Sequence, residues 1–425
     1  MIDNMLKFLD NSPTAYNATK NIADILSEKG YEELFENKEY KVKKGGKYFI
    51  RRNGSSIIAF NIGKKLNNPA LHLTSSHTDC PSYKVKSNAL LKTSNGVKLN
   101  VEKYGGVLHR PWFDRPLSLA GRVMINKGKH VEAVTYLDTK PFCILASVPP
   151  HLSREVENKA IDPEIDMVPI VSLNDKYDFN DYLARNLKIN KKDILGYDLF
   201  VYPIEKAYKW GDHDEFITSK HLDNLECAYT SLMGFINTFN DNNINVFASY
   251  DNEEISSLTR QGANSDFLEL NIQRIAKELG VDYGRLVANG FQLSCDNVHG
   301  IHPNHPELYD KENAPKLNGG VVIKFAANQT YTSDGLSGAL FRKLLSNNNI
   351  KYQEYANRTG IRGGRTLGNF SNSHVSLISI DIGLAQWAMH SPIETCGSED
   401  VNEMIKAIKC FYKTSLKISG DCFSL

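Results

Sequence analysis

Five short phrases constrain this chain more than any other feature. They are Ser76-His77-Thr78-Asp79, His221-Leu222-Asp223-Asn224, Asp251-Asn252-Glu253-Glu254, Cys295-Asp296-Asn297 and Met389-His390-Ser391. Each sets a hard oxygen or imidazole ligand beside an expected strand end or helix start. Together they offer two histidines, three carboxylates as candidate metal ligands, and one spare glutamate. That inventory suits two adjacent divalent metal ions and a general base, the equipment for hydrolysing a peptide bond without a covalent intermediate.

The texture around these phrases predicts the fold. The first thirty residues read as helical, with Ser12-Pro13 as a start and Gly30 as a stop. Strands are expected at 47–51, 56–62 and 71–75, the last running straight into His77. From about residue 89 to 220, short β-prone runs (121–125, 130–136, 167–171) alternate with turns. Alternation of helix and strand then returns: a helix at 225–239, a strand at 246–250, a helix at 266–279, strands at 321–325 and 375–382, and a closing helix at 402–415. This pattern predicts an α/β fold with a mixed central sheet flanked by helices, interrupted by a β-rich insertion. The expected division is 1–89 with 219–425 as one discontinuous domain, and 90–218 as the inserted one.

Composition excludes several classes. A net charge of +1 argues against nucleic acid or an anionic membrane as an obligatory partner. No stretch approaches the roughly 18 to 20 apolar residues of a spanning helix. The opening residues lack the apolar run of a signal peptide. Seven cysteines without a C-x-x-C pair suit a reduced complement, so a cytoplasmic location is expected.

Each phrase has its own chemistry. His77-x-Asp79 at a strand end puts both side chains on one face, where the carboxylate can fix the second imidazole N–H while the first nitrogen binds metal. Asp223 opens a helix, where capping alone would favour a carboxylate, yet its two oxygens could also bridge two cations. Glu253-Glu254 follow a strand, and two adjacent acids in a crevice need a cation to be tolerable. One would ligate metal while its neighbour accepts a proton from water. Asp296 and His390 each follow an apolar run and could be single ligands.

In this order, with Ser12-Pro13-Thr14, Tyr104-Gly-Gly, Trp112-Phe-Asp-Arg, Leu119-Ala-Gly-Arg, Asp214-Glu-Phe-Ile and His302-Pro-Asn-His, the phrases resemble the aspartyl aminopeptidase family, the M18 group of dizinc aminopeptidases, nearly end to end. The resemblance implies a zinc exopeptidase-like fold whose inserted domain drives assembly, commonly into a tetrahedral dodecamer. It implies peptide substrates and two divalent ions per subunit, most simply Zn2+, with Co2+ or Mn2+ as alternatives. Asp223 would bridge the ions, His77 and Asp296 would complete one site, and Glu254 and His390 the other. Glu253 would be the general base and Asp79 the partner of His77.

The same resemblance implies further roles. His151 matches a histidine that enters a neighbouring subunit's active site. Lys324 matches a lysine suited to an acidic first residue of the substrate, against the plain reading of a solvated lysine on a strand. His299, by its place just after Asp296 rather than by the resemblance, could bind substrate or merely pack, and a substrate-binding role is expected. Where many members carry Gly-Ser-Thr-Ile-Gly, this chain has Gly364-Arg365-Thr366-Leu367-Gly368. Alternatives that stay open are a neutral-residue preference, a catalytically silent scaffold or cargo protein of the same fold, and a two-metal deacylase of N-acyl amino acids. Cys80 lacks a free histidine base, and Trp112 and Trp387 are expected in the core.

Overall fold

The computed structural model describes residues 2–152, 159–361 and 363–425. A nine-stranded sheet organises it, in the order Glu32–Leu34, Lys47–Arg52, Ser56–Ile62, Ile244–Tyr250, Leu71–His77, Phe291–Cys295, Ile378–Gly383, Val321–Phe325 and Tyr352–Ala356. The four central strands, from Ile244–Tyr250 to Ile378–Gly383, are mutually parallel, and antiparallel partners flank them. The chain thus adopts the α/β class and mixed sheet expected from its sequence.

Side-chain alternation divides the core into two layers. Ile57 and Ala59 face one, Ile58 and Phe60 the other. Helices Ile2–Asp10, Ala15–Glu28, Leu222–Ile236, Gly335–Asn347 and Ser398–Lys413 fill the first layer, and Phe267–Leu279 fills the second. With both faces covered, central strands such as Ile244–Tyr250 are buried along their whole length. Such strands lack the polar alternation of a half-exposed sheet. Helix Ala15–Glu28 starts close to the expected Ser12-Pro13, but its cap is Thr14, whose hydroxyl oxygen accepts the Asn17 N–H.

A second, antiparallel sheet of six strands runs in the order Val131–Leu137, Leu117–Asn126, Ile194–Pro203, Ser82–Thr93, Gly96–Tyr104 and Ile170–Ser172. Trp112 is fully buried in its core, as expected. The expected border at residue 90 falls inside the strand Ser82–Thr93. At the other end, Tyr208–Trp210 and Phe216–Ser219 leave this sheet and pair toward Glu394–Gly397. Strand partners are set by long-range register, which local texture does not report. Nor does the β-rich reading anticipate helix Phe179–Leu187, capped by Asp178 and packed on this sheet through Phe179 and Leu183.

A small sheet joins Phe216–Ser219, Glu394–Gly397, Ala385–Trp387 and Val298–His299. Trp387, expected in the core, is only half-buried and donates its indole N–H to the Ile301 carbonyl at 2.9 Å. Among the described residues no helix is long and apolar enough to cross a membrane.

Candidate metal centre

Three of the ligand phrases leave the carboxyl ends of adjacent parallel strands. His77 closes Leu71–His77, Glu253-Glu254 follow Ile244–Tyr250, and Asp296 follows Phe291–Cys295. Open α/β sheets form their binding crevices outside such ends. Asp223 enters from the start of helix Leu222–Ile236, and His390 from the turn after Ala385–Trp387. Asn252 and His390 hold φ of 65° and 66°, a left-handed conformation that Asn and His adopt more readily than most residues. The strand ends and turns open into a cavity of about 470 Å³ lined by all of these candidate ligands, Glu253, His299, Lys324 and Arg365.

The donors form two triads that share Asp223. Its Oδ1 lies 3.4 Å from His77 Nε2, which is also 3.5 Å from Asp296 Oδ1. Its Oδ2 lies 3.5 Å from His390 Nε2, which is also 3.5 Å from Glu254 Oε1. These spacings exceed a good N–H···O hydrogen bond of about 2.7–3.2 Å. They lie near the roughly 3.3 Å between neighbouring donors on a tetrahedral zinc ion with bonds of about 2.0–2.1 Å, and the three donors that all sit within 4.8 Å of one another are those of His77, Asp223 and Glu254, drawn from both triads. Asp223 Oδ1 is enclosed and accepts no hydrogen bond. An orphaned, buried carboxylate oxygen facing an imidazole is what a cation would satisfy, so the residues around Asp223 fit a metal ion.

The electrostatics agree. Burial alone would lower the His77 pKa, but Asp223, Asp296 and Asp79 hold it well above its usual value. His390, opposed by burial in the same way, is raised to about 10 by Asp223 and Glu254. Burial and the neighbouring acids push Glu253 up to about 8, although His77 opposes the rise, and Glu254 is driven well up in the same manner. Asp223 is held far down against its burial by the two imidazoles. The protein groups alone therefore retain protons that a dication would displace, and metal uptake should release them.

Outer contacts fix the candidate ligands. His77 Nδ1 donates to the main-chain carbonyl of Asp79 at 3.0 Å, which leaves Nε2 facing the carboxylates, while the Asp79 carboxylate is farther, at 3.4 Å. The expected carboxylate–imidazole bond is thus largely replaced by a backbone one. The carboxylate instead accepts the N–H groups of Glu253 and Glu254, at 3.1 and 3.2 Å, and the Tyr104 hydroxyl at 2.7 Å. His390 Nδ1 donates to the Gly106 carbonyl at 3.0 Å. Tyr104 and Gly106 belong to the end of strand Gly96–Tyr104 and the turn beyond it. The second sheet therefore reaches into the centre, a role the sequence reading did not assign to the Tyr104-Gly-Gly phrase. Any signal for it lay in the phrase itself, a tyrosine followed by two residues without side chains.

Lys324 is not a solvated lysine. It is 1% exposed, donates to the Asp296 carbonyl at 2.9 Å, and lies 3.6 Å from Asp296 Oδ2. Burial works against its charge, but Asp296 holds the ammonium protonated. His299 sits in the cavity wall, and His151 is exposed and outside that wall. Cys80 is buried, and burial pushes its thiol well up, so it is no nucleophile.

A sequence profile of the family described as "Aminopeptidase I zinc metalloprotease (M18)" matches residues 8–412. A probable M18 family aminopeptidase 2 of Clostridium novyi is 37% identical over 422 residues, covering 96% of this chain and 97% of its own. The chain belongs to the M18 family. Among solved structures, an Ape4 chain in complex with Nbr1 superposes on this M18 chain with a TM-score of 0.92 at 31% identity, covering 96% of it and 84% of the Ape4 chain. The mApe1 dodecamer of S. cerevisiae gives a TM-score of 0.85 at 26% identity, covering 96% and 95%. The family makes this M18 protein a zinc metalloaminopeptidase.

Proposed function

We propose that this M18 chain removes the N-terminal residue from peptides with two zinc ions per subunit. The observation that carries the reading is Asp223, whose two oxygens each face a separate histidine–carboxylate pair. His77, Asp296 and one Asp223 oxygen would hold one ion, and His390, Glu254 and the other oxygen the second. Together the ions would polarise the scissile carbonyl and lower the pKa of a water. Glu253 lines the cavity beside both triads, takes the proton of the attacking water and passes it to the leaving amine. Asp79 and Tyr104 hold the Glu253-Glu254 backbone in place for that exchange. The intact ligand set and base weigh against a silent scaffold.

Two cations in the cavity wall, Lys324 and Arg365, favour an acidic first residue over a neutral one. The segment at about 90–218 would serve assembly. It exposes large apolar side chains in the isolated chain, Leu152 at 79% and Leu173 at 85%, and apolar groups left open on one subunit suit a contact with another. The dodecameric yeast relative supports a homo-oligomer of that kind, in which His151 would reach a partner's cavity. The seven free thiols suit a reducing cytoplasm.

Metal counting tests the reading. Wild type should bind two zinc ions per chain, Asp223→Asn should lose both, and His77→Ala and His390→Ala should each lose mainly one. One ion in wild type, or loss of a single ion in Asp223→Asn, would remove the shared-carboxylate assignment.

A further inference from the structure

The two triads hang from chain segments far apart in sequence, and one buried carboxylate ties them together. Glu394 is 2% exposed and does not line the cavity. Its Oε2 accepts the backbone N–H of Asp223 at 3.0 Å, and its Oε1 accepts the backbone N–H of His390 at 2.8 Å. It opens the strand Glu394–Gly397, where it pairs with Ser219, a few residues before Asp223. We propose that Glu394 is a positioning residue for the zinc centre, a two-point clamp that sets the distance between the shared ligand and His390.

The chemistry of both ends supports this. Asp223 lies at the start of a helix, where the first backbone N–H groups have no intrahelical acceptor. His390 and Ala388 both hold positive φ, at 66° and 57°, a backbone conformation that side chains with a Cβ resist unless something fixes it. One carboxylate satisfies both needs because each of its two oxygens accepts one of the two N–H groups. An amide at this position would present one acceptor and one N–H₂ group, and the latter would face another N–H. A shorter carboxylate would keep the charge but could not span both amides.

This inference rests on the proposed two-zinc site, and the test separates the two. Full-length wild type, Glu394→Gln and Glu394→Asp are stripped with a chelator and titrated with Zn2+ against a chromogenic competitor. Melting of the metal-free proteins is followed in parallel. Loss of outer contacts to metal ligands typically lowers affinity about 10- to 100-fold. Both variants should show a drop in that range, with kcat falling more than KM rises and the metal-free fold retained. Wild-type zinc affinity in Glu394→Gln overturns the proposal. Restored affinity in Glu394→Asp also overturns it, since the residue would then act through charge alone. If Glu394→Gln does not fold, Glu394→Asp decides by the same criterion. A wild-type chain that binds one ion would sink the two-ion reading, while a variant's weakened grip on that ion would still support the clamp.

Discussion

Substituting Gly106 by alanine should cripple one half of the metal centre without touching a ligand. Gly106 does not hold a positive φ, so alanine adds no backbone strain of its own. Its Cβ, however, would lie 2.9 Å from His390 Nδ1 and 3.3 Å from Cε1. Ordinary contact begins at 3.4 Å, so the ring must retreat by 3.4 − 2.9 = 0.5 Å. The retreat lengthens the 3.0 Å bond from Nδ1 to the Gly106 carbonyl and swings Nε2 off the Glu254–Asp223 pair. Overpacking of this size costs about 1–3 kcal/mol if the ring stays in place. If the ring yields, the loss appears as metal affinity, typically about 10- to 100-fold, or roughly 1.4–2.7 kcal/mol. The two figures agree, so the predicted outcome is one weakened ion and one retained. Zinc titration with a chromogenic competitor, followed by aminopeptidase assay at limiting zinc, measures it. Two ions held with wild-type affinity would refute the claim that the second sheet orients His390.

Three further outcomes follow from the same geometry. Glu253→Gln should keep its zinc content and lose activity by about 10² to 10⁴, the usual share of a general base; metal loss in this variant, with Glu254→Gln retaining it, would reverse the roles of the pair. Lys324→Met should slow cleavage of Asp and Glu substrates about tenfold or more relative to Leu, because a desolvated ammonium gives up a charged partner. Equal losses on a chromogenic panel would confine Lys324 to anchoring Asp296. His151→Ala should reduce turnover at unchanged zinc content, and mixing it with Glu253→Gln should restore partial activity if subunits exchange. Full activity in a monomer, seen by sedimentation and assay on one sample, would end the inter-subunit role.

The sequence by itself determined the fold class and picked out the residues that the fold gathers around one cavity. His77, Asp223, Glu253, Glu254, Asp296 and His390 stand in short phrases after apolar runs, where a strand end or helix start is locally encoded. Ligand chemistry narrows what such residues can do. Only the tertiary structure decided how they are arranged. That Asp223 divides its oxygens between two histidines depends on the order of strands in the nine-stranded sheet. That Tyr104 holds Asp79 depends on how the second sheet packs against the first. Gly106 and Asp79 act through carbonyl oxygens, and Glu394 accepts backbone N–H groups; every residue type carries such groups, so no spacing pattern marks them. Lys324 reads as a surface lysine because its apolar neighbours do not reveal that Asp296 comes back beside it from another strand. Local composition encodes strand ends and ligand types, whereas contacts between distant backbone amides and carbonyls exist only once the sheets have closed.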